Sequence, residues 1–168
     1  LSSRRDGLCP GEGAAAIVLE RQGTSEVELR SVEVAEDPGQ AIERCLDGAE
    51  LSASQLSWVA CGADGRVESD RSLAEAIRSQ LGSALPITSC VPHRGSLGAA
   101  QDLAAVVEVA RSVSVGRVGP LDLEDSVEPR FGIQPVQGAL ELETDHAMTL
   151  HAGSVDDYTA IVLTAREP

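Results

Sequence analysis

The chain has 168 residues, 42% of them hydrophobic, which is enough to bury the core of one globular domain. Its formal net charge of −14 argues against nucleic acid and membrane surfaces as partners, because anionic phosphates would repel the chain. All 13 basic residues are arginine, which excludes mechanisms that need a lysine amine.

The cysteine, histidine and hydropathy patterns exclude further classes of site. The four cysteines and three histidines have no spacing typical of metal ligands, so we expect no metal and no cofactor. No apolar stretch is long enough to span a membrane, and the start lacks the apolar core of a signal peptide. We therefore expect a cytoplasmic protein with reduced thiols. Because the sequence begins without methionine, we also expect a processed product or a piece of a longer chain.

The first predicted elements are two strands. Residues 14–20 form a short run that favours a strand, and residues 26–34 alternate apolar and polar side chains with a change of phase at Ser31. Together they predict a β-hairpin with a bulge near Ser31.

A helix, a strand and a second helix are predicted next. Asp37 precedes a proline and apolar residues at helical spacing, which predicts a capped helix that ends at Gly48. Residues 56–61 are apolar enough for a buried strand, which leads into a glycine-containing loop. Leucine and isoleucine then recur on one face of a predicted helix over residues 70–81.

The last predicted elements begin with a short strand at 86–89 and an unusually apolar helix at 97–113. That helix contains only three charged residues, Asp102, Glu108 and Arg111, which is typical of a helix covered on more than one side. Two strand candidates, at 147–151 and 158–165, follow. The alternation of strands and helices predicts an α/β domain with a mixed sheet.

Two motifs resemble β-ketoacyl synthases, the condensing enzymes of fatty-acid and polyketide assembly. Residues 6–20, D-G-L-C-P-G-E-G-A-A-A-I-V-L-E, resemble the family's D-G-x-x-x-G-E-G-A-x-x-x-V-L-E segment, and residues 96–100, S-L-G-A-A, resemble the start of its central helix. The resemblance implies a thiolase-like layered fold with a mixed five-stranded sheet. Residues 36–168 would form the C-terminal half of that fold, and residues 1–35 the hairpin that ends the N-terminal half.

The positions that match the family's catalytic groups carry other residues. Cys61 stands where the first histidine is expected, Gly95 where the second is, and Cys90 where the lysine is. Leu73 replaces the lysine's carboxylate partner, and Ser154 replaces a gating phenylalanine in a glycine-rich loop. Losing both members of a buried ion pair can be neutral, whereas losing one leaves an uncompensated charge. The resemblance therefore implies no catalytic residues in this chain.

The resemblance leaves three functions to compare. The leading interpretation is a non-catalytic homologue, similar to the chain-length-factor subunits that pair with a ketosynthase in polyketide or fatty-acid biosynthesis. One alternative is half of a split or processed ketosynthase-like protein that serves as scaffold or decoy. The other is an acyl-transfer enzyme that uses Cys61 or Cys90 as its nucleophile.

A partner polypeptide is expected on the apolar helix. Successive residues of a helix point about 100° apart. The chain's own sheet therefore cannot be faced by all three of Val106, Val107 and Val109. We expect them to contact a ketosynthase-like subunit or the N-terminal half. An acidic acyl carrier protein would be reached only through that partner, because this chain is itself strongly negative.

Overall fold

A computed structural model of the chain describes residues 10–21, 23–89, 91, 95–119, 131–142, 145–153 and 157–166. Within those ranges lie the α-helices α1 (Pro38–Ala49), α2 (Val67–Gln80) and α3 (Gln101–Val115). The strands are β1 (Val27–Ala35), β2 (Leu56–Cys61), β3 (Pro86–Thr88), β4 (Arg117–Val118), β5 (Gln134–Pro135), β6 (Leu140–Glu141), β7 (His146–Ala152) and β8 (Tyr158–Ala165). Single 3-10 turns lie at Ala53–Gln55 and Gly98–Ala100.

The main sheet has the strand order β1-β8-β7-β2-β3-β5. Strands β7, β2, β3 and β5 run parallel, whereas β8 is antiparallel to both β7 and β1. Strands β4 and β6 form a separate antiparallel pair. The predicted α/β fold with a mixed, thiolase-like sheet is confirmed, and the sheet has six strands where five were expected.

The sixth strand is β1, whose pairing differs from the expected hairpin. It pairs with β8, residue Val32 opposite Ile161, and residues 11–20 contain no strand. Alternation of apolar residues predicts a strand but not its neighbour, and here the apolar side of β1 extends that of β8. The bulge expected near Ser31 is confirmed, because the register shifts between Leu29 and Ser31.

The sheet separates two apolar layers. Helices α1 and α2 cover one side, which we call the α1–α2 side, and α3 covers the other, the α3 side. The cluster on the α1–α2 side includes Ile42, Leu73, Ile77, Met148, Leu150 and Val162. The cluster on the α3 side includes Trp58, Val106, Val109, Val113, Ile161 and Leu163.

Helix α1 begins as predicted but ends differently. The Asp37 carboxylate accepts a hydrogen bond from the Gln40 backbone N–H at 2.9 Å, so the predicted cap is confirmed. The helix continues through Gly48 to Ala49, and Glu50 adopts the left-handed conformation with φ 56°. Gly48 instead lets α1 lie close to β1, because a β-carbon at this position would lie 2.6 Å from the Ser31 hydroxyl oxygen.

The starts of α2 and α3 also shift. Helix α2 begins at Val67, three residues before the predicted start, and α3 begins at Gln101 after a 3-10 turn. Element ends are set by local hydrogen bonds that periodicity does not report. Within the described ranges, no helix combines the length and apolar character needed to cross a membrane.

Candidate functional site

The candidate site lies where the parallel strands end. Strands β2, β3 and β7 run in the same direction, so their carboxyl ends meet at one edge of the sheet. The loop after β2, the segment that leads into α3 and the turn after β7 all leave from this edge. Of the positions compared with catalytic histidines, Cys61 is at the end of β2 and Gly95 is on the segment that leads into α3.

Cys61 is the last residue of β2 and does not face α3. It belongs to the apolar cluster on the α1–α2 side and is buried. Burial and then the charge of Asp70 raise the pKa of the Cys61 thiol to about 12. Because the thiolate is the nucleophile, a thiol with this pKa is inert at neutral pH. This argues against the acyl-transfer alternative that uses Cys61.

The loop that follows Cys61 is tied down by carboxylates. Asp70, fully buried in the first turn of α2, accepts hydrogen bonds from the backbone N–H groups of Asp64 and Gly65 at 3.1 and 3.4 Å. Asp64 in turn accepts the Arg66 backbone N–H at 3.1 Å and the Arg66 guanidinium N–H at 2.8 Å. The loop is therefore held by Asp70 of α2 and by its own Asp64.

Gly95, at the place of the second histidine, is buried and has φ 72°. Only glycine adopts this left-handed conformation without strain, so a histidine at this position would be disfavoured by the backbone. Its N–H donates to the Val91 carbonyl at 2.8 Å, which fixes the turn. The local backbone thus suits a glycine at the position that the resemblance assigns to the second histidine.

Of the three other positions that the resemblance assigns to functional residues, one is among the residues that the structure describes and two are not. Leu73 is fully buried in α2 and contributes to the apolar cluster on the α1–α2 side. An apolar side chain therefore fills the position where the resemblance places a carboxylate. Cys90 and Ser154 lie outside the described residues.

The two motifs that carried the resemblance meet in space. Pro10 forms a parallel bridge with Ser96, and the Gly11 N–H donates to the Ser96 carbonyl at 2.9 Å. A β-carbon on Gly13 would lie 3.1 Å from a methyl carbon of Leu97. The glycine-rich segment is therefore a framework element that contacts the start of α3.

A histidine that the sequence comparison did not select lies at this edge. His151, near the end of β7, is 1% exposed, and neither ring nitrogen has a hydrogen-bond partner among the residues that the structure describes. Its ring lies against the loop after β2, since a β-carbon on Gly62 would collide with the imidazole. Burial lowers the pKa of His151 to about 4, so the imidazole is neutral at physiological pH.

A carboxylate lies beside His151. Asp102, in the first turn of α3, places Oδ1 3.4 Å from His151 Nδ1, and its side chain is 42% exposed. This contact is not an ion pair, because the imidazole is neutral. Burial and then the charge of Asp157 raise the pKa of Asp102. Asp157 Oδ1 is buried and has no hydrogen-bond partner among the described residues.

Sequence reasoning missed this group because its members lie far apart in the chain. The available signal was local: His151 is a titratable residue at the end of a predicted strand, 147–151, that contains three apolar residues. Among the described residues, no three metal-ligating side chains come together. The edge therefore offers a neutral imidazole with one carboxylate, that of Asp102, beside it.

The three valines of the predicted partner surface differ in burial. Val106 and Val109 are buried by the chain itself, against the α3 side of the sheet. Val107 is half-buried and keeps surface available. The chain's own sheet thus covers two of the three directions, and contact of this helix with a partner stays a prediction.

No family model matches the chain. A curated protein of Streptomyces cyaneus, named as a polyketide beta-ketoacyl synthase, is 26% identical over 192 residues, which cover 96% of this chain and 44% of that protein. The ishigamide ketosynthase/chain length factor structure has a TM-score of 0.78 at 14% identity, covering 84% of this chain and 38% of that one. A ketosynthase in complex with its chain length factor, from Xenorhabdus doucetiae, has a TM-score of 0.75 at 16% identity, covering 86% and 40%.

These similarities confirm the resemblance that the motifs indicated. The chain has the thiolase-like fold of ketosynthases and is similar to a polyketide beta-ketoacyl synthase and to ketosynthase/chain-length-factor proteins. It spans less than half the length of the relatives it matches. A further structure with TM-score 0.77 and 18% identity, covering 84% of this chain and 39% of that one, is a ketosynthase in complex with its acyl carrier protein.

Proposed function

We propose that this chain is a non-catalytic, chain-length-factor-like component of a polyketide synthase and acts through a ketosynthase partner in the cytoplasm. One observation carries the proposal: neither position that matches a family histidine can present an imidazole. Cys61 is a buried thiol that faces the α1–α2 side, and Gly95 has a backbone conformation suited to glycine. Decarboxylation and condensation need positioned donors to stabilise the developing oxyanion.

The first test is catalytic. The purified chain should neither decarboxylate a malonyl thioester nor condense it with an acyl thioester, and adding the ketosynthase partner should restore turnover to the complex. A ketosynthase partner whose nucleophilic cysteine is replaced by alanine is the matched control, because the complex should then be inactive. Turnover by this chain alone would contradict the proposal.

The uncovered apolar surface supports a large partner. Val32 and Val34 are exposed on the α3 side of β1, where they extend the row that Ile161 begins. At the end of α3, Val115 is 70% exposed. Val32 and Val34 are neighbours on one side of β1, and soluble proteins rarely leave adjacent apolar side chains uncovered over a large patch; in the leading segment, Val18 is 88% exposed.

The kind of polypeptide that covers the apolar surface can be inferred from how much of its relatives' length this chain has. The chain corresponds to 38–44% of the proteins it matches, so a ketosynthase-like partner can supply the remaining layers. It can do so either as a complete subunit or as a separate N-terminal half that pairs with residues 36–168. The second form is the split-protein alternative, and both predict a heterodimer. An acyl carrier protein would bind the partner, since this chain carries a charge of −14.

The interface test uses valines on opposite sides of the sheet. Val107→Asp and Val34→Asp should each weaken association with the ketosynthase partner, measured by light scattering and titration calorimetry, because a charge would be buried. Val67→Asp is the matched control, since Val67 is exposed on α2, on the α1–α2 side. Equal binding by all three variants would show that the α3 side is not the interface.

A further inference from the structure

One segment of the chain favours a strand but has no strand to pair with. Residues 14–19 read A-A-A-I-V-L, an uninterrupted apolar run that is typical of a strand buried on both faces. The structure places no strand between residues 11 and 20, and residues 12–20 form no backbone hydrogen bond with another described residue. Because backbone N–H and C=O groups need partners once they are buried, whatever covers this segment must also pair its backbone.

The apolar side chains of this segment are exposed. Val18 is 88% exposed, Leu19 is 70% exposed and Ile17 is 36% exposed. In a strand, Ile17 and Leu19 would lie on one face and Val18 on the other, because successive side chains point to opposite faces. Both faces of such a strand would be apolar, which indicates a sheet that is covered by other layers on both sides.

The segment is held at both ends. On one side of it, the Gly11 N–H donates to the Ser96 carbonyl at 2.9 Å, just before the turn that leads into α3. On the other side, the Arg166 guanidinium donates to the Gly23 carbonyl at 2.9 Å, and the Arg166 backbone N–H donates to the Glu26 carbonyl at 2.8 Å. Because the ends are fixed, pairing of the segment would lose less conformational entropy than pairing of a free tail.

The segment also borders the apolar surface on the α3 side. Val18 and Leu19 line a cleft of about 550 Å³ together with Val27 and Leu29 of β1. Val27 and Leu29 pack against the cluster on the α3 side, and Val32, farther along β1, is exposed on that same side. The segment therefore lies next to the surface that the proposed partner covers.

We propose that residues 14–19 add as a strand to the edge of a β-sheet in the ketosynthase-like partner. A sheet edge pairs the backbone of the added strand, whereas a helix laid on the segment would leave its backbone unpaired. The chain corresponds to 38–44% of the length of its relatives, so such a partner has room for a further sheet. A second copy of this chain suits the segment less well, because two chains of charge −14 repel each other. The inference rests on the proposed function, because the sheet belongs to the proposed partner.

The first experiment measures amide hydrogen exchange by mass spectrometry. In the isolated chain the amides of residues 14–19 should exchange rapidly, and the ketosynthase partner should slow their exchange about tenfold or more, because the new strand pairing protects them. Exchange that stays rapid in the complex would overturn the inference. Protection that appears in the isolated chain and grows with its concentration would overturn it too, since a second copy would then be the occupant.

The second experiment separates backbone pairing from apolar contact. Successive N–H groups of a strand point to opposite sides, so Ile17→Pro and Val18→Pro are both made, with Ile17→Ala and Val18→Ala as matched controls that keep the N–H. At least one proline variant should bind the partner about tenfold more weakly than its alanine control, because proline cannot donate to a neighbouring strand. Each free proline variant should melt like its alanine control, since neither N–H is bonded within the described part of the chain.

The outcomes distinguish this inference from the proposed function. If the unmodified chain binds the partner and both proline variants bind as well as their alanine controls, the strand pairing is overturned and the proposed function stands. Failure of the unmodified chain to bind would overturn both.

Discussion

The buried histidine predicts a specific loss of stability in mild acid. In the unfolded chain His151 takes up a proton near its ordinary pKa of 6.5, whereas in the folded chain it does so only at about 4. The folded state therefore binds fewer protons between these values, and its stability falls as the pH falls. The difference corresponds to about 3 kcal/mol in full, of which about 2 kcal/mol develops between pH 7.5 and pH 5.0.

The assay compares denaturant unfolding of the unmodified chain and of His151→Gln at the two pH values. Both proteins should lose stability through other groups, but His151→Gln should lose about 2 kcal/mol less, because its side chain does not titrate. His146→Gln serves as control, since His146 is half-buried and hydrogen-bonded to Thr164 at 2.9 Å. The same acid-induced loss in His151→Gln as in the unmodified chain would refute the reasoning.

Two further predictions concern Cys61, the last residue of β2, and Gly62, which follows it. A variant that retains Cys61 as its only cysteine should react with iodoacetamide at pH 7.5 about a thousandfold more slowly when folded than when unfolded. The reason is that the folded chain contains little of the reactive thiolate. Stoichiometric labelling of the folded variant by an acyl-thioester analogue would contradict this prediction. Gly62→Ala should lower the free energy of unfolding by about 1–3 kcal/mol, because the added methyl group collides with the His151 ring. Most of that loss should disappear in the His151→Ala background, and an additive double mutant would count against the contact.

The elements that sequence predicted well are those defined by periodicity and caps. Strand β2 begins and ends at the predicted residues, and the cap at Asp37 forms as expected. The partner of β1 could not be predicted, because an alternating strand is compatible with any neighbour that shares its apolar side. The end of α1 was predicted wrongly, because a glycine can either end a helix or let another element lie close to it. The close contact of Gly48 with Ser31 depends on β1, a separate strand.

Local sequence patterns do not report contacts between distant parts of the chain, and this limit also applies to the candidate site. The positions assigned to the two histidines could be proposed because they lie next to motifs that can be aligned locally, and that assignment stays a prediction. That Cys61 faces the α1–α2 side follows from the register of β2 against β7, where Cys61 lies opposite Leu150. The contact between Asp102 and His151 joins residues about fifty positions apart, so only the fold brings it into view.

The two sides of the sheet differ in where they place polar groups. On the α1–α2 side, Cys61 and Leu73, at positions where the resemblance expects polar groups, are buried in the core. On the α3 side, His151 and Asp157 have buried atoms without hydrogen-bond partners among the described residues, and Asp102 is half-exposed beside His151. Each such atom costs about 1–3 kcal/mol, so this edge contributes less to stability on the α3 side than on the α1–α2 side.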